Sequence, residues 1–246
     1  MKKVLLEEFI KKYSLGGSID SVNWRVDGGK LTVTGTPSDT QVICFVSTKA
    51  IGLPDGVYSI YDTSQLKAFL GVLGDDINVE VVTADHNNQP ISFKLNDKPS
   101  GGRTKVQFVL SDPAVIPKES SEADLTPFDM TIKFDSNFMT QFIKAKGSLA
   151  DLPVFAVVNE DGKTSFVLGY DSDMLTSQVD LQVEAEGSLK EVLNFSADYL
   201  KDIFMANKEA SAGEIGISNR GVMFVTFAND VFNPRYYLLK INKQKI

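Results

Sequence analysis

The chain has 246 residues, 43% hydrophobic and 10% aromatic, enough to bury a sizeable core as one large domain or two modest ones and to exclude global disorder. Its net charge of −7 argues, taken alone, against a nucleic-acid partner, because phosphate binding is dominated by Lys and Arg. A single cysteine excludes an internal disulfide framework and favours a reducing compartment such as the cytosol, and no run approaches the roughly 18 apolar residues of a membrane span.

The start, MKKVLLEEFIKKY, mixes charges into apolar residues at helical spacing and predicts a helix over residues 1–13. It lacks the unbroken apolar core and cleavage site of a secretory signal. WRVDGGKLTVTG then reads as two strands about an Asp27–Gly28 turn, and Cys44 lies in the apolar run 42–46, where it packs as a small apolar residue. YDTSQLKAFL predicts a second helix over 62–73. INVEVVTADHNNQPISFKL carries two further apolar runs about a polar turn that holds the only histidine, His86. SDPAVIPKESSEADLTP, residues 111–127, contains three prolines and several charges and reads as an extended connector outside the core. FDSNFMTQFI predicts a third helix over 135–146, and PVFAVVNEDGKTSFVLGY a hairpin about Asp161–Gly162. FSADYLKDIF predicts a fourth helix over 196–208, and EIGISNRGVMFVTFA two final runs about a polar turn.

The four helical segments repeat one pattern. Leu6, Leu66, Met139 and Leu200 share a position; Phe9, Phe69, Phe142 and Ile203 the next; Ile10, Leu70, Ile143 and Phe204 the last. Offsets of three and four put these side chains on one helix face. Asp62, Asp135 and Ser196 stand where an N-cap accepts the free N–H groups of the first turn, whereas Met1 cannot do so and the first helix starts less sharply. Phe9 to Phe69 is 60 residues, Phe69 to Phe142 is 73 and Phe142 to Ile203 is 61. This short, long, short spacing predicts a duplicated pair of units joined by the connector. Each unit combines helices with antiparallel strands, an α+β architecture.

The charge is unevenly divided. Nine lysines against six acids give the helices +3, so the remainder carries −10. Relative to the buried stripe, Lys11, Lys67, Lys144 and Lys201 fall on or beside the exposed face, with Lys12 and Lys208 near its margin. Any one of them reads most simply as part of a solvated face. As a set they predict a weakly positive surface on an acidic body, suited to loose, sequence-independent contact with phosphates.

YDTSQLKAFLGVLGDD, the stretch FVLSDPAVIPKESSEADLTPFDMTIKFDSNFMTQFIKAKGSL and the C-terminal RYYLLKI resemble the sliding-clamp family, most closely the clamps of T-even-type bacteriophages and then the proliferating cell nuclear antigen type. The resemblance runs through nearly the whole chain as short blocks in order. It implies a DNA clamp fold with two similar domains, 1–110 and 128–246, joined by the connector 111–127. Helices would line the interior of a homotrimeric ring, with antiparallel sheets outside. It further implies a non-enzymatic processivity factor for viral DNA replication. Such a factor encircles duplex DNA, tethers a DNA polymerase, is loaded by an ATP-dependent clamp loader and works in the cytoplasm of the host cell. By matched position, the strand with Lys105, Val106, Phe108 and Leu110 would pair with the strand with Val179, Leu181 and Val183 of the next chain. Val42, Leu110, Val115, Ile116, Pro234, Tyr237 and Leu239 would form a pocket for partner peptides beneath the connector. Val115 and Ile116 are hard to place as core in so charged a linker, although they also suit a simple tack onto the sheet. The end KINKQKI, with Lys240, Lys243 and Lys245, departs from the acidic tail of the nuclear-antigen type.

Signs of chemistry are few. A lone His86 cannot supply a His-based triad or a multi-His metal site. No phosphate-cradling glycine motif occurs, and no cofactor is expected. Asp171-Ser-Asp173 opens like a calcium loop but lacks the rest, and carboxylates alone leave Mg²⁺ binding open. Two function classes stand: a closed clamp, and a monomeric or dimeric viral processivity factor of the same fold that holds DNA without encircling it.

Overall fold

The computed structural model describes residues 2–49, 51–85, 88–97, 104–122, 126–160, 162–172 and 174–242. Met1, His86, Asp161, Asp173, Lys243 and Lys245, singled out above, lie outside them. The chain forms two compact units. The first comprises 1–37, 44–121 and 230–234, and the second 38–43, 122–229 and 235–246.

In the first unit, α1 (Lys3–Ser14) precedes four strands, β1 (Val22–Asp27), β2 (Lys30–Gly35), β3 (Val42–Lys49) and β4 (Gly56–Ile60). Then come α2 (Thr63–Gly71) and a three-strand meander, β5 (Ile77–Thr83), β6 (Pro90–Asp97) and β7 (Lys105–Val109). The β1–β2 turn is the expected hairpin: Asp27 faces Lys30, and Gly28 and Gly29 take φ of 53° and 77°, the left-handed pair of a type I′ turn.

The second unit runs β8 (Met130–Asp135), α3 (Ser136–Ser148), β9 (Val154–Glu160), β10 (Lys163–Leu168), β11 (Val179–Val183), β12 (Ala185–Gly187) and β13 (Leu193–Ser196). It ends with α4 (Ala197–Ala206), β14 (Ala212–Ser218), β15 (Val222–Phe227) and β16 (Phe232–Leu239). The sheet orders expose the duplication: β3-β2-β1-β4 in the first unit is matched by β11-β10-β9-β13 in the second. Likewise β5-β6-β7 is matched by β14-β15-β16, with β8 and β12 added beside β14. Strands β3 and β16 are shared between the units. Within the second, Leu239 N donates to Gln41 O at 2.9 Å; within the first, Thr48 Oγ1 donates to Val231 O at 2.9 Å.

The helices bury the repeated stripe. Leu6, Leu66, Met139, Leu200, Phe9, Phe142, Ile203, Ile10, Leu70 and Phe204 are buried, while Phe69 and Ile143 are half-buried. Asp62 accepts from Gln65 N, Asp135 from Phe138 N and Ser196 from Tyr199 N, so all three expected caps form. α1 has Lys2 at its N-cap and no side-chain cap. Aromatic rings fill both cores. The first holds Phe9, Tyr13, Trp24, Tyr58 and Phe93, and the second a phenylalanine cluster around Phe204. Cys44 is buried, its thiol pushed up to about 12 by that burial, consistent with a packing role.

The connector departs from expectation. It contains a short helical turn, Pro113–Val115, capped by Asp112 and ending on Ile116, which is buried. The expected exclusion of this segment from the core is therefore corrected: Ile116 anchors it. Glu119 holds it further, receiving Arg25 Nη2 at 2.8 Å and Asn23 Nδ2 at 3.1 Å. Polar residues had signalled a free linker, but an arginine fork and one apolar side chain suffice to fasten it.

Candidate nucleic-acid interface and docking surfaces

Each unit packs its two helices side by side, α1 with α2 and α3 with α4, their apolar stripes buried and their opposite faces carrying the lysines. Lys67 and Lys144 are exposed on α2 and α3, and Lys208 is exposed just past α4. Among the described residues these three have no ion pair. Lys11 is half-buried, its ammonium 3.9 Å from Glu8. Lys201 is half-buried too, 3.4 Å from Asp202 and 3.8 Å from Asp198. Burial pushes the Asp202 carboxyl above its ordinary range, against the pull of Lys201.

Lys12 corrects the expected set. It is fully buried, its ammonium 5.1 Å from the centre of the Phe232 ring. It sits one position past the exposed face, where the helix turns inward and an aromatic face receives the cation. The sequence pattern also passed over Lys146. This side chain is buried at the end of α3, donates to Ala150 O and lies 3.1 Å from Asp198 on α4. Its place opposite an acid in the first turn of the next helix was the only available signal. The uncompensated positive charge thus rests on Lys67, Lys144 and Lys208, with Lys11 and Lys201 partly neutralised.

Strands β7 and β11 are sheet edges. β7 pairs β6 from Lys105↔Asn96 to Val109↔Ser92, and β11 pairs β10 from Val179↔Leu168 to Val183↔Thr164. The other side of each strand has no partner strand among the described residues. Phe108 is buried in its own unit, ring to ring with Phe69 at 6.3 Å, and Leu110 is buried with its N–H donating to Ile91 O. Lys105 is exposed, Val106 half-buried, and Val179, Leu181 and Val183 are half-buried. Val109, which the sequence reading passed over, is 69% exposed on the same edge strand.

The seven residues expected to form one docking pocket are divided between the units. Leu110, Val115, Ile116 and Pro234 belong to the first; Val42, Tyr237 and Leu239 to the second. Val115 is 57% exposed, but Ile116 and Pro234 are buried, and Ile116 tacks the connector down. In the second unit Val42 and Tyr237 are buried and Leu239 half-buried. The Tyr237 ring lies 4.8 Å from that of Phe224, tilted by 48°, and its hydroxyl donates to Glu122, which also pairs with Arg235.

No described cluster of His, Cys, Asp or Glu is arranged to hold a metal ion, and no described helix is long and apolar enough to cross a membrane. Two units of one strand order, each backed by a helix pair, define the DNA clamp fold. The crystal structure of the proliferating cellular nuclear antigen from Entamoeba histolytica has this fold, with a TM-score of 0.73 over 98% of this chain and 96% of that one, at 13% sequence identity. No family model and no curated protein matches the sequence.

Proposed function

We propose that the chain is a DNA sliding clamp: three copies close head to tail into a ring around duplex DNA and tether a DNA polymerase. One observation carries the proposal. β7 and β11, which stand at matched outer positions of the two duplicated strand orders, each keep an edge with no partner strand among the described residues. Pairing β7 of one copy with β11 of the next satisfies both edges, and a heterologous contact of that kind closes a ring when its rotation matches. The residues of this junction are Lys105, Val106 and Val109 on one side and Val179, Leu181 and Val183 on the other. Phe108 and Leu110 support it from behind.

The helix pairs would then face the DNA, with Lys67, Lys144 and Lys208 as the main phosphate contacts and Lys11 and Lys201 as secondary ones. Contacts this sparse leave the protein free to slide. Val115, exposed on the connector, is the residue of the expected docking set proposed to meet the polymerase. A separate ATPase would load the ring. The likeness of YDTSQLKAFLGVLGDD to T-even-type phage clamps points to a viral replication factor acting in the host cytoplasm.

The test is solution mass by light scattering over a wide concentration range, on the wild type and on a Lys67→Glu, Lys144→Glu variant. Both are expected near a trimer of about 81 kDa, three times 27.0 kDa, with the variant retained less well on circular DNA after loading. A strict monomer at high concentration would overturn ring closure and favour the non-encircling factor of the same fold. Unchanged retention of the variant would remove the helix faces from the DNA contact.

A further inference from the structure

The second unit holds an open cleft of about 970 Å³ between the end of α3 and the segment that joins β10 to β11. Its lining is apolar, with Leu149, Leu152, Phe155 and Ile241 prominent, and none of these belongs to the surfaces discussed above. The charged side chains among its lining residues are two carboxylates, Asp151 and Asp171. Asp151 is exposed and makes no hydrogen bond or ion pair with any described residue. One wall is set by the backbone: Thr176 Oγ1 donates to Gly169 O, and Gly169 has φ 81°. A Cβ there would meet Ser177 O at 2.3 Å, so only glycine permits this close return. Beside that wall, Met174 and Leu175 stand 67% and 105% exposed. Exposed apolar side chains next to a preformed apolar cleft are unusual on a surface that faces only water.

We infer that this cleft docks an extended segment of a partner protein in which bulky apolar side chains alternate with Lys or Arg. The apolar lining takes the bulky side chains, and Leu175 with Met174 extends the surface they cover. Asp151 and Asp171 select positive charge and repel acidic segments. The same carboxylates disfavour a second copy of this chain as the occupant, because outside its helices the chain carries −10. The inference does not depend on ring closure.

The experiment starts from a displayed library of random dodecapeptides. It is first depleted on an Asp151→Lys, Leu175→Glu double variant and then selected on the wild-type protein. Both positions are exposed, so neither substitution disturbs packing. Selected peptides should join bulky apolar residues to Lys or Arg. A fluorescent copy of the best should lose about tenfold in affinity with either single variant, and weaken as salt is raised. Recovery of no peptide, of peptides without basic residues, or of peptides indifferent to both single variants would overturn the inference. So would a fall in the wild-type assembly mass on Asp151→Lys, which would show the cleft to be covered by a second copy.

Discussion

The two units share a strand order and differ in what fills it. The first packs Trp24, Tyr13 and Tyr58 with Phe9 and Phe93, and both tyrosine hydroxyls find partners: Tyr13 Oη lies 3.1 Å from Thr63 Oγ1, and Tyr58 donates to Pro54 O. The second unit is built on phenylalanine. Phe204 alone lies within 5.4 to 6.3 Å of Phe134, Phe138, Phe142 and Phe227. At the position matched to Phe204 the first unit has Leu70, also fully buried. The helix pairs differ likewise: α3 is tied to α4 through Lys146 and Asp198, whereas the ion pairs of Lys3 and Lys11 stay within α1. The periodic pattern of burial therefore decides this fold, and the identities of the buried side chains are free to drift so long as volume is met.

That comparison can be broken at three levels. The largest effect is expected in the cores. Phe204→Ala should cost about 3–5 kcal/mol by opening a cavity among rings, and Leu70→Ala somewhat less, about 2–3 kcal/mol. Denaturant unfolding measures both, and equal losses would mean that the two cores are packed alike despite their composition.

A middle-sized effect belongs to the connector, which an arginine grips in each unit: Arg25 with Glu119, and Arg235 with Glu122. Partial burial raises the Glu119 carboxyl, but its hydrogen bonds from Arg25 and Asn23 outweigh that and hold it below the usual carboxylate range. A depressed carboxylate stabilises the fold above its unfolded pKa, and the contribution is lost as pH falls through the folded value. Glu119→Gln should therefore cost about 1 kcal/mol at neutral pH, a modest figure because the pair is partly exposed, and should flatten the loss of stability in acid. A thermal melt series across acid pH in which wild type and variant run parallel would refute the assignment.

The smallest effects are at the caps. Asp62→Ala and Asp135→Ala should each cost about 1 kcal/mol, one per unit, while Lys2→Ala, at a helix start with no side-chain cap, should cost clearly less than either. A Lys2 variant as damaging as the two aspartate variants would show that its bond to Asp76 matters more than an exposed pair should.

By itself the sequence determined the local elements and their duplication. Apolar residues three and four apart can serve only a helix face, an Asp-Gly pair between alternating runs can serve only a tight hairpin, and equal spacings betray a copied unit. These signals lie within a few residues of one another, so a linear reading reaches them. Only the tertiary structure decided which lysines are free. Lys12 and Lys11 are neighbours in sequence, yet one is buried over Phe232, far along the chain, and the other meets Glu8 one turn away. The same holds for Ile116, whose burial depends on the fold of its unit around the connector, and for the cleft beside Leu175, whose walls come from segments about 20 to 90 residues apart. Burial and charge pairing are properties of what the chain brings together from a distance, and the local pattern of residues does not contain that information.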